Sequence, residues 1–282
     1  MSNDTILVTG GTGKTGRHVA ARLRALGHDA RTAARTGADV HFDWDDPATH
    51  GPALAGVGAV YLVPPALRLD GAPAVVGFLD RAEAAGVRHV TYLSARGVEN
   101  APPEAQLRAV ELDLGRRGGL THTLLRPGWF MQDFHEAYFV PTRGVIAAPT
   151  GDGAEAFVHA DDIAAVAVAT LLAPADHDRA AYVLTGPEAL TFGEVAERVA
   201  KAAGRPVVHE DVPRGAWVAS AEAAGMPRDY AEALAFLMDE LLRSGTGAAT
   251  TDDVERVTGR PPQSFDDYAA EPDPIAVWSA AA

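Results

Sequence analysis

Short apolar runs alternate with helical patterns through the first half of the chain. Thr5–Thr9 (TILVT) reads as a buried strand, then a glycine turn, then a helix over about Thr15–Leu26. Asp29–Ala34 and Val40–Phe42 read as the next two strands. Ala59–Val63 is a fourth, ended by Pro64-Pro65, which cannot continue a central strand. A helix is predicted over Ala72–Ala85, a fifth strand over His89–Ser94, a helix over Glu104–Arg116 and a sixth strand over Thr121–Leu125, which stops at Arg126-Pro127-Gly128. Strands alternating with helices predict a parallel sheet covered on both faces, a Rossmann-type doubly wound α/β fold.

Beyond Gly128 the pattern changes. Trp129–Gly144 is aromatic and irregular. His159–Ala173 has a helical pattern whose Asp161 and Asp162 suit an N-terminus. Tyr182–Thr185 reads as a strand. Thr191 and Glu194 form a capping box that opens a helix to about Ala203, ended by Gly204. Val212–Leu242 reads as largely helical, and the tail, with Pro261, Pro262, Pro272 and Pro274, as a loop-rich wrap. The organisation expected is a dinucleotide-binding domain over 1–150 and a smaller substrate region over 151–282, with some segments returning to the sheet.

Composition narrows the function. The 282 residues are 47% hydrophobic and carry a net charge of −14. Enough apolar surface is available for a full core. A body this acidic repels phosphate backbones, which argues against general nucleic-acid binding. There is no cysteine, so disulfides, thiolate nucleophiles and iron–sulfur ligation are excluded. Neither a secretory signal nor a run of about 18 apolar residues is visible, and the expected location is the cytoplasm. The only lysines are Lys14 and Lys201.

The strongest motif is Gly10-Gly11-Thr12-Gly13-Lys14-Thr15-Gly16, placed after the first strand and before the first helix. Glycines suit a tight turn and close backbone approach to a pyrophosphate, and the helix N-terminus presents N–H groups and a positive dipole end. Gly13-Lys14-Thr15 also spells the end of a triphosphate-binding loop, but the glycine that motif needs six residues before its lysine is Val8 here. At the end of the second strand an acid would bind a ribose 2′-hydroxyl and select NAD. The stretch reads Arg31-Thr32-Ala33-Ala34-Arg35-Thr36 instead. Arg35 just past the strand, and Lys14 in the loop, suit a 2′-phosphate, so the cofactor expected is NADPH.

The start ILVTGGTGKTG, FDWDDP at Phe42–Pro47, YLVPP at Tyr61–Pro65, TYLSARG at Thr91–Gly97 and LLRPGWFMQDF at Leu124–Phe134 resemble the NmrA-like branch of atypical short-chain dehydrogenase/reductases. The resemblance runs from residue 5 to about residue 265. It implies a Rossmann-type sheet and places Thr9–Gly16 (Thr9, Gly10, Thr12, Gly13, Lys14, Thr15 and Gly16 among them), Arg35, Asp43, Pro64, Pro65, Ser94, Pro127 and Gly128 around the cofactor. Bacterial relatives include ergot-alkaloid-type dehydrogenases and tailoring enzymes of aromatic polyketides. The angucyclinone ketoreductases of antibiotic biosynthesis are the functional analogy.

One departure matters. Ordinary short-chain dehydrogenases use a Tyr-x-x-x-Lys pair, in which Tyr donates the proton and Lys lowers its pKa. No Tyr here has Lys four residues later, and the predicted helix Glu104–Arg116 has no Tyr, Lys or His. Tyr92 has Arg96 at that spacing but lies in a strand, where a core role is expected. Candidate groups for catalysis are Ser94 at the end of the fifth strand, and His135 and Tyr138 in the aromatic segment. Trp129, Phe130, Phe134 and Tyr138 are candidates to line a flat apolar substrate pocket, with ordinary core packing as the competing reading. His159, Asp161 and Asp162 lack metal-ligand spacing, and no metal is expected. No GxSxG element supports a hydrolase.

Three functions fit. The first is an NADPH-dependent ketoreductase acting on a polycyclic aromatic natural product, with the proton supplied by water, Ser94 or a phenol of the substrate itself. The second is an iminium or alkene reductase, which needs no protein acid. The third is a non-catalytic NADP(H) sensor, as in the fungal founding member of the family. A large aromatic small molecule is the expected partner, and the sequence leaves the oligomeric state open.

Overall fold

The computed structural model describes residues 5–280. The chain forms two compact units. The first comprises Met1–Pro127, Ala160–Leu184 and Arg256–Gly259, the second Gly128–His159, Thr185–Glu255 and Arg260–Ala282. The division falls at Pro127 rather than at residue 150. Proline has no N–H for a further ladder bond, so the strand ends there and the chain leaves the sheet.

The first unit is a seven-stranded parallel sheet. Its strands are β1 (Thr5–Thr9), β2 (Ala30–Ala34), β3 (Val40–His41), β4 (Val57–Leu62), β5 (His89–Leu93), β6 (Thr121–Pro127) and β9 (Ala181–Leu184), in the order β3-β2-β1-β4-β5-β6-β9. Val8 lies opposite Thr32 on β2 and Tyr61 on β4. The order reverses between β1 and β4, the switch point at whose carboxyl edge such sheets bind ligands. The predicted strands and helices of the first half are all present. β4 starts two residues earlier than the apolar run suggests, and β6 runs to Pro127 rather than Leu125.

Helices α2 (His50–Leu54), α3 (Ala72–Ala84) and α4 (Gln106–Arg116) cover one face, and α1 (Gly16–Ala25) and α6 (Ala160–Leu172) the other. Leu7, Val60, Leu62 and Val90 of the strands bury against Phe78 and Leu79 of α3 and Val110 and Leu114 of α4. β-branched and leucine side chains dominate because both faces are covered, so the strands read as continuous apolar runs. Asp161 in the first turn of α6 takes a charge-assisted bond from Arg22 Nε of α1 at 2.7 Å, with His18 3.6 Å away. Burial raises that carboxyl, but His18 and Arg22 hold it far below the usual carboxylate range. These acids serve a helix N-terminus and a helix pair, as the sequence pattern suggests.

The second unit has an aromatic core. Phe134 packs within 5.1–5.6 Å of the rings of Phe139, Phe157, Phe192 and Phe265. Its elements are α5 (Asp133–Glu136), β7 (Val145–Ala148), β8 (Ala154–Glu155), β10 (Leu190–Thr191), α7 (Phe192–Ala203), β11 (Val208–Asp211), α8 (Arg214–Ala223), α9 (Arg228–Leu237), α11 (Phe265–Ala269) and α12 (Pro272–Ala280), while α10 (Asp253–Thr258) spans the boundary of the two units. β7 and β11 pair in parallel, and β8 and β10 antiparallel. The capping box at Thr191 and Glu194 is formed. The tail is helical rather than loop-rich. Ser264 and Asp267 form a second capping box, and Pro272 is the first residue of α12, where its missing N–H costs nothing. Trp278 of α12 is fully buried and donates from Nε1 to the Phe134 carbonyl at 2.7 Å.

Candidate functional site

The glycine turn sits at the carboxyl edge of β1. Gly10 adopts φ +59°, a left-handed conformation that favours glycine, and its carbonyl accepts the Gly13 N–H at 2.8 Å. A methyl group at position 16 would collide with that same carbonyl, so α1 can start against the turn only with glycine there. The first turn of α1 holds no acid, and Thr15 makes no side-chain cap. Its positive end is therefore left for an anion. Thr15 Oγ1 instead accepts from the buried Tyr61 hydroxyl at 3.0 Å. Thr9 is buried and ties β1 to β4: Oγ1 accepts the Val63 N–H at 2.8 Å and shares its one proton between the Tyr61 and Val63 carbonyls, 3.2 and 3.3 Å away. Thr9 thus shapes the floor of the turn. Thr12 and Gly13 are exposed, and Lys14 is half-buried.

The two arginines of β2 separate. Arg31 donates to the Ala53 and Ala55 carbonyls at 3.0 and 2.7 Å, a structural commitment. Arg35 is exposed past the end of the strand. Asp43 accepts the Asp45 N–H at 3.0 Å and its own N–H bonds to Thr49, so it organises the loop after β3. Pro64 and Pro65 follow β4. The Pro65 carbonyl and the Gly71 N–H are both held by the Gln106 side chain of α4. Pro127 closes β6, where its carbonyl accepts the Arg96 N–H at 2.9 Å. Gly128 belongs to the second unit, where a side chain would meet the buried Glu155.

Ser94 follows β5 at the same edge and is 5% exposed. Its Oγ donates to Glu111 Oε1 at 2.7 Å. Glu111, on α4 and 3% exposed, also receives Arg126 Nε at 3.0 Å, Arg126 Nη2 at 2.8 Å and Arg108 Nη1 at 3.2 Å. Burial raises this carboxyl; the bonds from Arg126, Ser94 and Arg108 outweigh it and leave its pKa below the ordinary value. Glu111 is ionised and acceptor-only. Glu111 is not among the candidates the sequence suggests, since the Tyr/Lys pattern gives an acid on α4 no role. The available signal was an acid on the helix stripe of Leu107, Val110 and Leu114, where an apolar residue is expected. Tyr92 is fully buried in the core of β5 and the α3–α4 face, as expected of a strand aromatic.

The aromatic-segment candidates are held inside the second unit. His135 Nδ1 lies 2.7 Å from the Tyr268 hydroxyl and Nε2 3.1 Å from Glu136, so both ring nitrogens are engaged. Burial, with Tyr230 and Asp133, pushes the Tyr138 phenol above its ordinary pKa, the reverse of what a lysine partner does for a catalytic tyrosine. Phe134 is fully buried in the aromatic core and cannot meet a ligand without opening it, which corrects its placement on a pocket wall. Trp129 and Tyr138 are half-buried and meet edge-to-face at 6.3 Å, and Phe130 is half-buried beside Val158. Among the described residues no cluster of His, Cys, Asp or Glu has the arrangement to hold a metal, and no helix is long and apolar enough to cross a membrane.

The NmrA-like family model matches residues 2–244. The chain belongs to the NmrA-like family. This NmrA-like protein is 39% identical to the oxidoreductase YesF of Bacillus subtilis over 280 residues, 96% of each chain. It is 34% identical to agroclavine dehydrogenase of Claviceps fusiformis, over 95% of this chain and 96% of the relative. In fold it is similar to an NADPH-dependent quinone oxidoreductase of Escherichia coli complexed with NADPH (TM-score 0.74, 24% identity, 94% of this chain and 98% of that one). The Rossmann-like sheet of the first unit is the architecture this membership carries.

Proposed function

We propose that this protein is an NADPH-dependent reductase that passes hydride to a large aromatic small molecule whose reduction needs no protein proton donor. The observation that carries the reading is the pairing of a built pyrophosphate cradle with a substrate edge that lacks an acid. Gly10 and Gly16 allow the turn to close on α1, whose first turn holds no carboxylate to compete with a phosphate. Arg35 supplies an exposed cation where a 2′-phosphate would lie, and no acid stands there to prefer a free ribose. Bound NADPH would supply the hydride. The protein's own part is to position the two reactants and exclude water. α4, which carries the Tyr/Lys pair in ordinary short-chain dehydrogenases, reads QLRAVELDLGR and offers no phenol or amine.

Two substrates satisfy this. A ketone of a polycyclic natural product, such as an antibiotic precursor, is reduced if a neighbouring phenol of the substrate supplies the proton. An iminium ion takes hydride at carbon while its C=N electron pair moves to nitrogen, and no proton is consumed. Kinship with agroclavine dehydrogenase supports the second. The test is incubation with deuterated NADPH, and NADH in parallel, over a panel of polycyclic ketones and cyclic iminium ions, read by mass spectrometry. Deuterium on a carbinol carbon makes it a ketoreductase, and deuterium beside an amine nitrogen an iminium reductase. Cofactor binding with transfer to neither would overturn the enzyme reading in favour of a sensor.

A further inference from the structure

Ser94 and Glu111 together carry a directional consequence. A serine hydroxyl has one proton and two lone pairs. Glu111 is held ionised by three arginine bonds, from Arg126 and Arg108, and an ionised carboxylate only accepts, so the proton between Ser94 and Glu111 belongs to Ser94 and points at the helix. Any group that reaches Ser94 Oγ at the carboxyl edge meets lone pairs alone. The pairing is fixed by two independent elements, since Arg126 lies on β6 and Glu111 on α4, and both carboxylate oxygens are occupied. Rotation of the hydroxyl toward a ligand would leave Glu111 Oε1 with one donor fewer in a buried position, which is unfavourable for a charged acceptor.

We propose that Glu111 is a positioning residue that turns Ser94 into an obligate acceptor, so that this edge favours a substrate or product bearing positive charge or an N–H⁺ donor over a neutral carbonyl. This rests on the reductase reading above and narrows its substrate class. A ketone oxygen needs a donor as negative charge develops on it; Ser94 offers none while Glu111 is in place. An iminium carbon loses its positive charge on reduction and gives a neutral amine; once that amine has taken a proton from solvent water, its N–H⁺ donates to the Ser94 oxygen.

The experiment measures binding without turnover. NADP⁺-loaded protein is titrated near neutral pH with N-methyltetrahydroisoquinolinium, an N–H⁺ product analogue, and with 1-tetralone, a neutral counterpart whose oxygen only accepts. NADP⁺ affinity and thermal unfolding are recorded for each variant. The wild type is expected to bind the ammonium roughly tenfold or more tightly than the ketone. Glu111→Gln keeps the shape and the bonds from Arg126 Nη2 and Arg108 to the remaining oxygen, gives up the bond from Arg126 Nε, and turns its NH2 toward Ser94; it is expected to bring the two affinities within about threefold of each other with NADP⁺ affinity unchanged. Ser94→Ala is expected to do the same from the other side. Equal affinities in the wild type, or a ratio that survives Glu111→Gln, overturn the proposal while NADP⁺ binding leaves the reductase reading standing. Failure of NADP⁺ itself to bind overturns both.

Discussion

The two edges of the parallel sheet bury polar groups by opposite means. At the amino edge, His89 opens β5 with Nδ1 2.9 Å from Thr121 Oγ1 and Nε2 3.2 Å from Thr91 Oγ1, and Thr91 lies 2.9 Å from Thr170. All these groups are neutral. Burial lowers the His89 pKa to about 4, with Asp178 opposing and His122 and His177 assisting. At the carboxyl edge of the same strand, Ser94 rests on an ionised carboxylate and two guanidinium groups. Burying charge is the more expensive solution and seldom adds net stability over an apolar alternative. It stands where α/β sheets bind ligands, and the neutral solution stands where only the fold needs serving. The contrast repeats on β2, where Arg31 is committed to carbonyls and Arg35 beyond the strand end is exposed.

Four measurements break or sharpen this contrast. The largest effect is expected from Glu111→Ala, which removes the buried partner of Arg126 and leaves that guanidinium only Glu99, 3.4 Å away. Urea unfolding should show a loss of about 1.5–3 kcal/mol, and a loss below 1 kcal/mol would mean the cluster is already hydrated. Next is acid. The folded-state pKa of His89 is depressed, so its neutral form contributes fully above the unfolded value near 6.5 and that contribution is lost as pH falls from there toward about 4. The stability of the wild type should fall by about 1–3 kcal/mol across that window, and His89→Gln should flatten the slope. An unchanged slope removes His89 from the account. Third, Arg35→Ala should weaken NADPH binding by roughly tenfold, about one charge-assisted bond, and leave NADH binding alone. Arg31→Ala should leave the ratio of the two cofactors unaltered. Smallest is Ser94→Ala, expected to lower turnover of a cationic substrate by about tenfold at most. A thousandfold loss would make Ser94 the proton donor and invert the polarity proposed for this edge.

What the sequence shows and hides follows from the range of the interactions. The glycine turn is legible because its constraint is local: Gly10, Gly13 and Gly16 meet one another within seven residues. The positions of the first six strands along the chain are legible for the same reason, since each apolar run is closed by its own turn. Glu111 is hidden because its meaning comes from Ser94, 17 residues away just after β5, and Arg126, 15 residues away on β6. Arg31 and Arg35 look alike in the sequence; only the position of the α2 carbonyls distinguishes the committed guanidinium from the exposed one. Phe134 is ambiguous in the sequence because aromatic density is a property that a core and a binding wall share, and its burial decides between them.

The late return of α6 and β9 to the sheet bears on how the chain is made. Until residues 160–184 emerge from the ribosome, the apolar face that α6 covers over β4, β5 and β6 is open to water, and β6 is an unpaired edge. At about 5–20 residues per second, that exposure lasts for several seconds after β6 has emerged. Chaperone capture of the nascent chain is therefore expected to peak between the synthesis of Pro127 and of Leu184, and a fragment ending at residue 150 to aggregate rather than fold.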